Sequence, residues 1–527
     1  MGIQTGGALS APAYVLDWMP TRRPSLSHTY LNPHSGMECF VMRLTRISFA
    51  LALVGLFGSG SALAQGQVPS SVDQTAFNYD SYYAAEAATV AAQPRDSEGA
   101  LGETGPPIDV MDNDFYGDEG RYAPMPGLNW SCGCDYELDC GPMWTLQRCE
   151  NDMLNYGGWL SGGFTVNNWG NTTMLGNAQL PFNNDPHVNL NQAWMWFQKE
   201  TDTGGYGFDW GYQVDIMAGI DGPDTQAFGG PGWDSTWQWG NGGYGAAIPQ
   251  AYLSLGYDDV TVILGHFFTI MGYEVVPAPY NFFYSHAYTF AYGEPFTHTG
   301  ILAEYSYSDQ LSFYGGWVDG WDEGFNFGAN GSSTFLGGVM WNSADERTAV
   351  SWTVNAGDWG KGANIHPNQT TGPTTMSEGT IYSQSLVIQQ QIRDNWTYVF
   401  QTDYAYNRTR VPGGVDTEWY GVNNYLFYNF NCAWAAGLRA EWFSDPDGAR
   451  VDRAGLNAGN VAFDRANYFE ITVGANYRPN NNFRLRPEIR YDWSNGMGTG
   501  GPRFDPVGGS YTQADLWTFG LDAIWMF

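Results

Sequence analysis

The chain has 527 residues, of which 16% are aromatic and only 14% charged, with a formal net charge of -32. No run of 18 or more apolar residues occurs and mean hydropathy is -0.34, which excludes a helical membrane protein. Lysine is confined to Lys199 and Lys361, so the cation clusters that neutralise phosphates are missing and nucleic acid is excluded as a partner.

Residues 1–41 carry no pattern and read as a mis-assigned start or an extended leader. Residues 42–64 have the layout of a signal peptide: Arg43 and Arg46 form a basic start, Ile47 to Phe57 an apolar core, and Ala62-Leu63-Ala64 a small-residue cleavage site. A membrane anchor is the alternative, but that core is too short to span. Residues 65–150 form an irregular, low-complexity periplasmic extension with a short helix expected from Tyr82 to Ala92. Its acidic tract from Met111 to Glu119 reads as a solvated loop rather than a calcium site. Cys132, Cys134, Cys140 and Cys149 cluster there, and in an exported protein two disulfides are expected rather than zinc, with the pairing open. No metal or cofactor is implied.

From 151 to 527 the pattern has period two. In 469–477, Phe469, Ile471, Val473, Ala475 and Tyr477 alternate with Glu470, Thr472, Gly474 and Asn476. After the turn Pro479-Asn480-Asn481-Asn482, the same arrangement sets Arg484, Arg486, Glu488, Arg490 and Asp492 opposite an apolar row. Pro487 cannot donate to a ladder, which predicts a bulge there. Segments 208–216 and 434–442 alternate likewise, and the apolar rows end on Tyr and Trp, as an apolar band between two aromatic girdles requires.

Such runs predict strands at 156–167, 188–198, 206–218, 247–257, 260–268, 300–308, 311–319, 334–342, 348–356, 381–392, 396–406, 418–428, 432–443, 468–478, 483–493 and 515–527. Connections alternate between short ones, such as Asp258-Asp259, and long ones, such as 269–299. The expected fold is all-β: a transmembrane antiparallel up-and-down barrel of about 16 strands, within a range of 14–18, behind an irregular N-terminal extension. Trp517, Phe519, Leu521, Ala523, Trp525 and Phe527 form an unbroken apolar row resembling the signature read by the outer-membrane insertion machinery. That machinery and outer-membrane lipid are the expected partners.

The segments Tyr156–Phe164, Gly265–Glu274, Asn281–Ser285 and Pro295–Gly300 resemble the OmpL-like family of β-barrel porins over about 156–527. The resemblance implies an outer-membrane pore for small hydrophilic solutes or ions, usually a trimer. Loop 269–299 is too aromatic to stand in water, so it is expected to fold into the lumen, with Glu274 and Glu294 as acidic lining beside His286 and His298; the alternatives are an external lid packed by its own aromatics and an oligomer contact. Arg439, Arg484, Arg486 and Arg490 would face it as a basic wall, or pair structurally with Glu441, Glu488 and Asp492. If both faces carry free charge, a transverse field follows, and changing Arg486 and Arg490 to Gln shifts ion selectivity. Two alternatives stand beside the porin. One is a plugged receptor or structural surface protein; the other is a barrel hydrolase, which would need a nucleophile placed near one of His187, His266, His286, His298 or His366.

Overall fold

Period-two alternation gives every strand an apolar and a polar face, and in a membrane barrel the apolar face meets lipid while the polar face encloses the lumen. The computed structural model describes residues 144–147, 153–168, 187–227, 233–239, 243–325, 331–360, 379–409, 416–448, 450–451, 466–496, 504–507, 510–513 and 515–527. The expected signal peptide, the Tyr82–Ala92 helix, the acidic tract and the four clustered cysteines lie outside them.

Among the described residues, sixteen long strands form the barrel: β1 (Asn155–Asn167), β2 (Asn189–Lys199), β3 (Phe208–Gly219), β4 (Tyr244–Tyr257), β5 (Val260–Phe268), β6 (Thr297–Ser308), β7 (Leu311–Val318), β8 (Ser332–Asn342), β9 (Thr348–Gly360), β10 (Gly379–Arg393), β11 (Trp396–Thr409), β12 (Thr417–Asn431), β13 (Trp434–Asp445), β14 (Ala466–Asn480), β15 (Phe483–Gly496) and β16 (Asp515–Met526). Each pairs antiparallel with the next, and β16 returns to β1 with Trp159 opposite Met526 and Asn167 opposite Thr518, so the sheet closes. A two-residue strand, Gln238–Trp239, adds to β4 in one loop, and a small hairpin pairs Phe504–Val507 with Ser510–Gln513 in another. All sixteen expected strands are present, and connections alternate between short turns and long loops as the sequence predicts.

The lipid-facing rows are the exposed ones: Trp517, Phe519 and Trp525 on β16 and Ile471 and Val473 on β14 are each more than a third exposed. Leu521, Ala523 and Phe527 complete that row by alternation, and the Phe527 backbone bonds both ways with Gly158 at 2.9 Å. Aromatic pairs mark both rims. Trp434–Tyr477 and Trp396–Tyr428 lie at the turn end, and Phe469–Trp493 and Tyr491–Trp517 at the loop end, at centroid distances of 4.4, 4.7, 5.2 and 4.5 Å. At the turn end Trp144 of the extension stacks on Trp525, and its backbone is clamped in both directions by the Asn482 side chain.

The bulge expected at Pro487 is absent. The β14–β15 pairing runs from Gly474–Glu488 to Tyr477–Leu485 in one unbroken register, and Pro487 lies opposite Leu521 of β16 in another. A proline lacks one donor toward one neighbour only; the ladder skips that rung, and the register holds because rungs on either side fix it. The shift falls instead beside the turn, between Tyr477 and Asn480. Cys432 lies buried in the Cys432-Ala433 turn after β12.

Candidate functional site: a loop latched inside the barrel

The loop between β5 and β6, residues 269–296, is buried almost throughout, although none of it forms a sheet. Its regular structure is one 3-10 turn (Ala278–Tyr280) and one turn of π-helix (Thr289–Gly293). A buried irregular loop leaves backbone N–H and C=O groups without ladder partners, and each needs a partner from elsewhere. Here charged side chains of the wall supply them.

Arginines take the carbonyls. Arg486 donates to the carbonyls of Ala278, Asn281 and Phe283 at 2.9, 2.8 and 3.0 Å while holding Asp522 with two bonds. Arg484 donates to Pro279 O, Arg490 to His286 O, and Arg450 to Tyr292 O, each at 2.5 Å. Arg439 donates to Ser285 O and to Glu274 Oε1, both at 2.7 Å, and also to Glu470. Arg490 in turn is held by Asp492 at 2.7 Å and lies 3.7 Å from Glu470.

Carboxylates take the amides. Glu488 accepts from the backbone N–H of Tyr284 and Ser285, and Glu441 accepts from those of Tyr288 and Thr289 at 2.6 Å each. Inside the loop, Glu274 accepts from Ala287 N at 2.9 Å, His286 Nδ1 at 3.0 Å and Tyr425 OH at 3.2 Å. Burial alone would raise Glu274, but Arg439 and His286 beside it hold it down at about 2. Burial also keeps His286 below its ordinary range against the pull of Glu274, so the contact is a neutral imidazole donating to a carboxylate. At the loop's far end Glu294 accepts from Gln401 Nε2, and Gln401 also reaches Asp403. Burial first, then the charge of Asp403, pushes Glu294 well above the usual carboxylate range.

The loop therefore crosses the lumen as a strap. Gln192 of β2 binds Val276 O and Ala278 N, Asn476 of β14 binds Phe282 O, and Trp419 of β12 binds Gly293 O. Tyr273, Val275, Phe282 and Phe283 pack on Val387, Val399, Tyr425 and Phe427. Space for the strap comes from inward glycines: a Cβ on Gly437 would stand 2.5 Å from the Phe282 ring, and one on Gly421 2.3 Å from Thr289 Oγ1.

The sequence-expected residues thus come together, with Glu274, Glu294 and His286 on the strap and Arg439, Arg484, Arg486, Arg490, Glu488 and Asp492 on the inward face of β13 and β15. All are buried, and the arginines contact the strap and its carboxylates directly, without a gap between two charged faces. His298 stands at the start of β6, bonded to Thr269 and Gly320 O. His266, on neighbouring β5, bonds to Thr299 and lies against Trp233 and Phe325; His187 is exposed, and His366 lies outside the described residues. Sequence reading missed Gln192, Gln401, Asp403 and the glycines. Inward glycines recurring on β12, β13, β14 and β16, Gly421, Gly437, Gly474 and Gly520, were the available signal.

A closed sixteen-strand barrel with aromatic rims and a lumen-crossing loop defines an outer-membrane β-barrel of the porin class. Residues 153–527 match the family described as "Putative beta-barrel porin-2, OmpL-like", and the chain belongs to that family and to the bacterial outer membrane. Similar solved structures include the outer membrane channel DcaP of Acinetobacter baumannii, at 13% identity and TM-score 0.46, covering 71% of this chain and 97% of that one. Others are an anion-selective porin from Comamonas acidovorans (9% identity, TM-score 0.44, coverage 71% and 99%) and OmpT of Vibrio cholerae (12%, 0.44, 72% and 99%). No curated protein sequence matches the chain.

Proposed function

We propose that this protein is a porin through which small hydrophilic solutes or ions diffuse passively, with the 269–296 strap narrowing the lumen. The observation that carries this reading is the latching of that strap by wall side chains at sites spread from β2 to β15, with the arginines and carboxylates of β13 and β15 chief among them. A free external lid would not use buried charge in this way, because each buried ionic group must be paired to be tolerated. Glu274, Glu294, His286 and His298, with the arginine wall, set the constriction. The β16 row from Trp517 to Phe527 serves barrel insertion into outer-membrane lipid, and membership in a porin family favours a homotrimer, to be checked by cross-linking in detergent.

One observation favours a second reading, a plugged receptor or structural surface barrel: the strap and the wall beneath it are packed to low exposure. Planar-bilayer recording from the refolded full chain separates the two. Discrete conductance steps support the porin, and a silent bilayer with a correctly folded barrel supports the plug.

A further inference from the structure

Around the strap, the carboxylates of β13 to β16 are balanced. Glu470 has Arg439, Asp492 has Arg490 and Asp522 has Arg486, while Glu441 and Glu488 each take two strap amides. At the strap's last turn the arrangement differs: Glu294 meets Asp403 of β11, carboxyl against carboxyl. Among the described residues neither has an arginine, lysine or histidine partner. They share the Nε2 of Gln401, and Asp403 also takes Ser385 Oγ of β10 at 2.9 Å.

An unpartnered side chain stands beside this pair. Asn423 of β12 lies directly opposite Gln401 in the ladder, is fully buried, and has no hydrogen-bond partner at either atom of its amide. Its other cross-strand neighbour, Glu441, is filled by Tyr288 and Thr289, which leaves the Gln401 side to use that amide. A buried amide unpaired at both ends is costly, and so are two carboxyls in contact; one cation held among them relieves both. Glu294, Ser385, Gln401, Asp403 and Asn423 are each at most 5% exposed, so water does not do this work from the lumen. The beginning of the strap arrives at the same place: Gly272 packs so closely on Glu294 that a Cβ would stand 1.9 Å from Oε2.

We propose that Glu294, Asp403, Gln401, Asn423 and Ser385 form a calcium site that clasps the two ends of the strap to β10, β11 and β12. A half-turn of the Gln401 amide presents Oε1 in place of Nε2, and every donor is then a hard oxygen. Two carboxylates and three neutral oxygens match the roughly six to eight oxygen ligands that Ca2+ takes in flexible geometry. A dication also cancels two adjacent negative charges, which a monovalent ion does not. Mg2+ fits less well, because it keeps several waters and this site is dry. Among the described residues no group of three or more His, Cys, Asp or Glu is arranged for a metal, so the site depends on its neutral amides as much as on its carboxylates. The clasp concerns how the strap is held, and it stands whether the barrel conducts or is plugged.

The test titrates CaCl2 into the refolded, EDTA-treated full chain and reads binding by calorimetry, for the natural protein, Asp403→Asn and Asn423→Leu. Heat-dependent migration on a detergent gel verifies each folded barrel. The natural protein should bind with a Kd at or below about 1 mM, the weak end for calcium modules outside the cell. Asp403→Asn should weaken binding at least about tenfold, since ligand charge sets calcium affinity. Asn423→Leu should weaken it severalfold, whereas an asparagine with no ligand role would leave it unchanged. With the strap loosened by Arg486→Gln, Ca2+ at about ten times its Kd should slow proteolysis within residues 273–293 about tenfold, and MgCl2 should not. Should Asp403→Asn misfold, Asn423→Leu and the protection of Arg486→Gln are read. No binding by the natural protein, equal binding by a folded variant, which would put the ion on acidic loops elsewhere, or equal protection by Mg2+ overturns the clasp.

Discussion

Replacing Arg486 by Gln removes the most connected of the latches. Its guanidinium binds three strap carbonyls between 2.8 and 3.0 Å and clamps Asp522 with two bonds. Breaking a buried ion pair from one side costs about 3–5 kcal/mol, because the remaining carboxylate is stranded. Three carbonyls losing a charged donor would add about 1.5–3 kcal/mol each if they stayed dry. Lumen water can reach them once the strap lifts, so a net loss of about 4 kcal/mol in docking is expected, close to a thousandfold shift toward the undocked strap. The sixteen-strand ladder does not depend on Arg486 side-chain bonds, so the barrel should still resist detergent before heating. Limited proteolysis should then cut within residues 273–293 only in the variant, and single-channel traces should become noisier and larger. A folded Arg486→Gln barrel with an uncut strap and unaltered traces would refute the latch.

Docking of the strap should weaken at both ends of the pH scale. Glu274 sits below its ordinary value of 4.5, at about 2, so its contribution is present above 4.5 and is lost as pH falls toward 2. Glu294 sits well above 4.5, so its contribution is complete below 4.5 and is lost as pH rises through its raised value. Protease sensitivity of the strap measured against pH should show both limbs, and Glu294→Gln should diminish the alkaline limb while leaving the acid limb unchanged. Gly272 has φ 88, and a Cβ there would stand 1.9 Å from Glu294 Oε2. Gly272→Ala should therefore force the two ends of the strap apart at a cost of about 1–3 kcal/mol of backbone strain plus the clash, read as channel flicker from a barrel with normal heat-dependent migration.

The barrel was legible because each strand reports its own two faces locally. Phe469 to Tyr477 declares an outward row and an inward row with no reference to the rest of the chain, and Asp258-Asp259 declares a turn. The inward burial of 269–296 was legible from its aromatics. What held it there was not, because the Arg486 partners lie about 205 residues upstream and are backbone carbonyls, which every residue carries. The same distance effect hid Gln192 and Gln401. Pro487 misled in the other direction: a local rule predicted a bulge, and the flanking rungs to β14 and β16 kept the register.

Single-channel recording from the refolded full chain, alongside a variant in which residues 273–293 are replaced by a short Gly-Ser link, tests the strap-narrowed pore most directly. The natural protein should give discrete steps, and the excised variant markedly larger ones. Equal steps from the two, or silence from both folded barrels, would contradict a pore narrowed by this loop.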